Sequence, residues 1–171
     1  MIIQINSDNI SVYIEEITAL YVEVFSAPPR YEIINHDNLK EEILLNIIDK
    51  IMYAYINNSK IVGFISMEPA YRTKDYQYMS ETNISLMKNP NSYMISESFV
   101  SEKHRGQGIA MQLFKRSLLL NKGSIVFSRS RLDAFAQNKI FTNLGFKAIS
   151  KIKVTTNGIE SIKYLWEYKI F

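Results

Sequence analysis

Apolar residues along this chain recur with two periods, and the switches between them lay out most of the secondary structure. Ile2 to Ile5 alternates and predicts a first strand. From Ile10 to Phe25 the positions Ile10, Ile14, Ile17, Tyr21 and Val24 repeat at helical spacing, and Ser26-Ala27-Pro28-Pro29 ends that helix. Leu39, Ile43, Ile47 and Ile51 form one stripe of a second helix, over Asp37 to Lys50. Met52 to Ile56 and Lys60 to Met67 read as a strand pair joined at Asn57-Asn58-Ser59-Lys60.

The segment from Glu68 to Ser92 has no clear period and reads as a long loop, a feature that in compact domains often carries function. Tyr93 to Val100 is the next strand, and it runs into a glycine-containing loop followed by a helix marked by Ala110, Leu113, Phe114, Ser117 and Leu118. Ile125 to Ser128 reads as a buried strand and Ala134 to Leu144 as a helix closed by Gly145. Two final strands, Phe146 to Val154 and Ile162 to Ile170, flank the turn signal Asn157-Gly158. The order βααβββαβαββ calls for an α/β (α+β) fold, a mixed central sheet with helices on its faces.

At 171 residues the chain fits a single domain over 1–171, and 11 Tyr and 9 Phe argue against disorder. Without a cysteine, disulfide frameworks, thiolate metal sites and cysteine nucleophiles are excluded; no metal site and a cytoplasmic setting are the expectation. The N-terminus lacks the basic and long apolar regions of a signal peptide, and no stretch has the length and apolarity of a membrane span. A formal charge of +3, carried by scattered Lys and Arg, does not point to nucleic acid.

Chemistry concentrates between Val100 and Ala110, where a strand ends, Gly106 and Gly108 stand two apart, and a helix begins. Glycine permits close backbone approach to an oxygen-rich group, the first helical turn offers unpaired N–H donors, and the helix dipole adds positive potential. Lys103 and Arg105 add full charge. No Gly-Lys-Ser/Thr follows, so the loop is not a P-loop, and a dinucleotide fingerprint would need a third glycine and a downstream acid. Spacing alone leaves a tight structural connection and an anion site equally open.

The run Glu97-Ser98-Phe99-Val100-Ser101-Glu102-Lys103-His104-Arg105-Gly106-Gln107-Gly108-Ile109-Ala110, with the later Gly145-Phe146, resembles the signature of the GNAT superfamily of N-acetyltransferases, whose core is Arg/Gln-x-x-Gly-x-Gly/Ala. The family's element order matches the pattern above over essentially the whole chain. The resemblance implies that amides of Arg105, Gly106, Gln107, Gly108, Ile109 and Ala110 bind the pyrophosphate of acetyl-coenzyme A. It also implies that backbone at Phe99, Val100 and Ser101 pairs with the pantetheine arm, and that a backbone N–H near Val100 receives the oxyanion. Transfer in the family is usually direct, from acetyl-CoA to an amine, within a ternary complex.

A lysine-like amine, with pKa about 10.4, needs help to lose its proton. Glu97, on the strand that would carry the thioester, is the first candidate for the base; Glu68 is the second, and His104 reads as a loop residue. Acceptor recognition, of a small-molecule or peptide amine, falls to Ser26-Ala27-Pro28-Pro29-Arg30-Tyr31-Glu32 and to the Ala70–Asn91 loop with Tyr71, Tyr76 and Tyr78, where Glu32, Asp75 and Glu81 could attract a cation.

Many members of the family carry an Asn and a Tyr where this chain has Ala134 and Phe141, so the tyrosine's acid is missing; Phe141 would pack on pantetheine, and Asn138, one turn earlier, would contact it. That departure keeps a second reading alive, a catalytically weak coenzyme A sensor or regulatory module. A third, a phosphate or nucleotide binder, rests on the loop alone. The alternating C-terminal hairpin with Tyr164, Trp166 and Tyr168 serves equally as an edge for a homodimer or as an internal strand pair.

Overall fold

The computed structural model describes residues 1–28, 31–73, 79–156 and 159–171. Its strands are β1 (Ile2–Ile5), β2 (Ile51–Asn57), β3 (Lys60–Pro69), β4 (Ser92–Val100), β5 (Ile125–Arg131), β6 (Lys147–Thr156) and β7 (Ile159–Lys169), and its helices are α1 (Ile10–Ser26), α2 (His36–Leu45), α3 (Glu81–Met87), α4 (Ile109–Ser117) and α5 (Phe135–Leu144). The strands are ordered β1-β2-β3-β4-β5-β7-β6 in a mixed, mostly antiparallel sheet. The chain divides into two compact units, one of residues 1–67 with 97–117 and one of residues 68–96 with 118–171.

In the first unit β1 and β3 both pair antiparallel with β2. Asn58 and Ser59, with φ of 49° and 60°, form the left-handed pair that a two-residue hairpin needs. Helix α1 buries Ile10, Ile14, Ile17 and Leu20 as one stripe, and these meet Met52, Phe64 and Phe99 in a single apolar cluster. Phe25 and Phe64 both contact the Phe99 ring, at centroid distances of 5.7 and 5.3 Å. The helix stops because Ala27, which precedes Pro28, is extended (φ −83°, ψ 162°).

Helix α2 starts at Asn35, whose side chain accepts the Asn38 N–H at 3.0 Å. It ends at Leu45 and not at Lys50 as its stripe suggests, because the Asn46 side chain caps the Glu42 carbonyl at 2.8 Å and a 3₁₀ turn, Ile47–Asp49, takes over. Glu15 and Lys40 tie α2 to α1, and that hydrogen bond holds the exposed Glu15 carboxyl below its ordinary range. Two further α1 carboxylates reach strand ends: Glu16 accepts the Ile61 N–H at 2.8 Å, and Glu23 accepts the Ser101 hydroxyl at 2.8 Å.

In the second unit β4 pairs parallel with β5 over Ser92–Met94, and β7 pairs antiparallel with both β5 and β6. The strand that carries Tyr164, Trp166 and Tyr168 is therefore paired on both sides, and the outer strand is β6. Met87, Met94, Phe127, Ile152 and Leu165 form the core here. The expected 68–92 loop contains a helix instead: α3, seven residues long and capped by Ser80, buries Asn83 and Met87, too short a stretch for a helical period to emerge from its sequence. Tyr76, Tyr78 and Asp75, and the Asn157-Gly158 turn, lie outside the described residues.

Gly145 closes α5 in the left-handed conformation, φ +90°. Its N–H bonds to the Thr142 carbonyl at 3.1 Å and the Phe146 N–H to the Phe141 carbonyl at 3.0 Å, the two bonds of a Schellman motif. The apolar contact that accompanies such a motif is Phe141 on Phe146, with ring centroids 5.1 Å apart.

Candidate active site

Strand β4 delivers the chain to the glycine loop, and α1 and β3 fix the point of delivery. Ser101 donates its N–H to Val62 at 2.9 Å and its hydroxyl to Glu23, while its carbonyl accepts the His104 N–H at 2.9 Å. All three of its polar groups are spent inside the chain. Ser101 thus holds the loop in place.

After a 3₁₀ turn, Glu102–His104, Arg105 is extended and Gly106 and Gly108 both lie at φ +75°. Only glycine occupies that region without strain. A Cβ built on either glycine would meet nothing within 4 Å, so the backbone there is open to a ligand. The first helical bond of α4 joins the Gln112 N–H to the Gly108 carbonyl at 3.1 Å, which leaves the amides of Ile109, Ala110 and Met111 without helical acceptors. Lys103, Arg105 and Gln107 are exposed around them. The arrangement is one that can receive an anion: unpaired amides, a helix N-terminus and two cations, with no side chain over the glycines.

Two features of the loop escape a reading by motif. Gly63 on β3 allows α4 to pack against it, since a Cβ there would sit 2.9 Å from the Ile109 side chain and 3.1 Å from that of Leu113. An isolated glycine inside a strand is the signal that could have found it. His104 Nδ1 is buried and has no hydrogen-bond partner among the described residues.

Glu97 lies on β4, three residues before Val100, and is half-buried. It lines a cleft within the first unit together with Tyr21 of α1, Leu39, Glu42 and Ile43 of α2, and Lys50, the residue before β2. The buried side of the cleft is Ile17, Met52, Phe64 and Ser66. Glu97 is thus brought into a cavity, whereas Glu68, the other carboxylate named from sequence, is not among its lining residues. Neither are Tyr31, Glu32, Tyr71 or Glu81; the cleft is made by helix and strand faces, and the sequence gives no local signal for Glu42 or Lys50 as its charged members. No group of His, Asp or Glu among the described residues is arranged to hold a metal ion.

Residues 17–168 match the model of the acetyltransferase (GNAT) domain. The chain belongs to the GNAT acetyltransferase family. It is an acetyltransferase whose fold recurs in many solved structures. NAA60 of Arabidopsis thaliana in complex with a bisubstrate analogue is 17% identical, with a TM-score of 0.65 over 99% of this chain and 98% of that one. For yncA of Salmonella typhimurium with its cofactor acetyl-CoA the values are 12%, 0.70, 99% and 94%. The ribosomal-protein-alanine N-acetyltransferase of Brucella melitensis gives 12%, 0.70, 99% and 99%. No curated protein matches the chain significantly.

The second unit places two further residues named from sequence, Asn138 and Phe141. Asn138 donates both amide hydrogens to the carbonyls of Arg131 and Leu132, at 3.2 and 3.1 Å, and accepts the Ser130 hydroxyl, which itself accepts the Trp166 indole N–H at 2.7 Å. Its donors hold the turn between β5 and α5 and are not free for a ligand. Phe141 is 0% exposed, set between Phe146 and Trp166, the latter at a centroid distance of 5.4 Å. A ring with no exposed surface does not offer a face to pantetheine, so the contact expected of Phe141 gives way to a core role. Phe141→Ala should then cost about 3–5 kcal/mol of stability, measured by denaturant unfolding. An alanine variant of wild-type stability with weakened coenzyme binding would restore the ligand contact.

Proposed function

We propose that residues 1–171 act as one N-acetyltransferase domain that moves the acetyl group of acetyl-CoA to a primary amine of a small molecule or peptide, by direct attack in a ternary complex. The observation that carries this reading is the loop at Arg105–Ala110, whose two left-handed glycines and unpaired first-turn amides fit a pyrophosphate and whose Arg105 and Lys103 fit its charge. The solved relatives that hold acetyl-CoA or a bisubstrate analogue support the choice of anion.

In this reading Phe99 and Val100, beyond the Ser92–Met94 stretch that pairs with β5, offer backbone groups to the pantetheine arm. The Val100 N–H donates to the oxygen of the thioester carbonyl as negative charge gathers on it. Glu97, in the cleft, takes the proton of the incoming ammonium directly or through water. The freed nitrogen lone pair forms a bond to the carbonyl carbon, the nitrogen gives up its second proton to water, the carbon–sulfur bond breaks, and the thiolate leaves with that electron pair. A thiol of pKa about 8.5 is a tolerable leaving group, and its proton returns from water, since Phe141 has none to give. No acyl-enzyme forms.

The test pairs binding with turnover. Calorimetric titration should show acetyl-CoA binding well ahead of ATP and NAD, and a panel of primary amines should release free thiol in step with N-acetylated product. Equal affinity for ATP would overturn the coenzyme assignment. Tight acetyl-CoA binding with no release from any amine would overturn the transferase reading in favour of a coenzyme-sensing module.

A further inference from the structure

The cleft that holds Glu97 also states something about the amine. Its floor is apolar, formed in part by Ile17, Met52 and Phe64, and its charged members among the described residues are Glu42, Glu97 and Lys50. Glu42 and Lys50 make no ion pair, with each other or with anything else among the described residues, although α2, which carries Glu42, pairs with α1 through Lys40 and Glu15. An uncommitted carboxylate and an uncommitted ammonium in one cleft, half walled by hydrocarbon, interact with a ligand more strongly than the same groups in open water.

A plain monoamine or a polyamine would meet Glu42 and Glu97 but bring no anion to Lys50. A dicarboxylic amine would add an anion opposite Glu42 and Glu97. A peptide N-terminus has its first carboxyl locked in an amide and presents no anion to Lys50. The charge pattern is met by a molecule with one ammonium, one carboxylate and an apolar body. The cleft opens to solvent at its mouth, so such a body need not be enclosed to lie against the apolar floor.

We infer that the acceptor is an apolar α-amino acid, its ammonium toward Glu97 and Glu42, its carboxylate on Lys50 and its side chain against the apolar floor. This rests on the N-acetyltransferase reading above and narrows it. The reaction is the one already written: the amino nitrogen bonds to the acetyl carbon, the carbon–sulfur bond breaks, the thiolate is protonated, and the product is an N-acetyl amino acid whose carboxylate is unchanged.

The experiment compares leucine, methionine and phenylalanine with the amines that have the same bodies but no carboxylate, and with a tripeptide of apolar first residue, by kcat/KM and by calorimetry in the presence of coenzyme A. The amino acids should exceed their decarboxylated partners at least tenfold. Lys50→Gln should reduce that preference by about tenfold, the scale of one charge-assisted hydrogen bond, mainly through KM, and Lys50→Glu should reverse it. Binding of the amino acid seen by calorimetry should weaken in parallel, which separates the contact from any effect on the chemical step. A preference for the bare amines or for the tripeptide in the wild type, or a Lys50→Gln variant that lowers all acceptors alike, would overturn the inference and leave the transferase standing. Loss of thiol release from every acceptor, with acetyl-CoA still bound, would take down the transferase reading itself.

Discussion

Gly108→Val should abolish measurable binding of acetyl-CoA, a loss of at least about a hundredfold, or roughly 2.8 kcal/mol. The fold around it should survive. Gly108 sits at φ +75°, and a Cβ there meets no protein atom within 4 Å, so no packing stands in the way of the new side chain. Two effects then act on the ligand. The valine side chain occupies the open space through which a phosphate must approach the backbone. A β-branched residue also resists the left-handed region by about 1–2 kcal/mol, and the loop relaxes by turning amides away from the cradle. Calorimetry gives the affinity, and thermal unfolding checks that the protein remains folded. A folded variant that binds acetyl-CoA as the wild type does would remove the loop from the site.

Glu97→Gln should lower kcat by about a hundredfold or more, within the range over which a positioned base accelerates proton transfer. The substitution keeps size and removes the charge, so packing beside Tyr21 and Phe64 in the cleft is preserved and coenzyme affinity should stay within a factor of two or so of wild type. The pH profile is the sharper reading. The wild type should gain rate with pH until the base and the acceptor amine are both unprotonated, whereas the variant should follow the amine alone. Wild-type turnover with an unchanged profile would pass the role to Glu68 or to a chain of waters.

The parts of this molecule that are legible in the sequence are those specified by neighbours along the chain. The α1 stripe follows from a 3.6-residue period, the β2–β3 turn from Asn58 and Ser59, and the end of α5 from Gly145, whose left-handed φ the Schellman bonds require. The anion loop belongs with them. Its donors are backbone groups, and two glycines before a helix mark it as a candidate, although spacing alone leaves a tight connection equally open. Short elements escape: α3 has too few residues to display a period, and α2 ends where the Asn46 side chain competes for a carbonyl, inside a stripe that reads as helical to Lys50.

Side chains drawn from distant positions escape for a different reason. Asn138 and Phe141 stand where a helix-surface contact with the coenzyme is reasonable, yet Asn138 caps a turn and Phe141 is sealed by Phe146 and Trp166. Sequence alone determined that this chain folds into helices and strands in the order of an acetyltransferase, and it marked the loop between Arg105 and Ala110 as a candidate anion site. Only the tertiary structure decided that Glu97 shares a cleft with Glu42 and Lys50, that Ser101 is tied to Val62 and Glu23, and that Gly63 makes room for α4. Backbone conformation responds to the few residues beside it, whereas a cleft is assembled from α1, α2, β2, β3 and β4 at once, and no local pattern records which of their side chains will face one another.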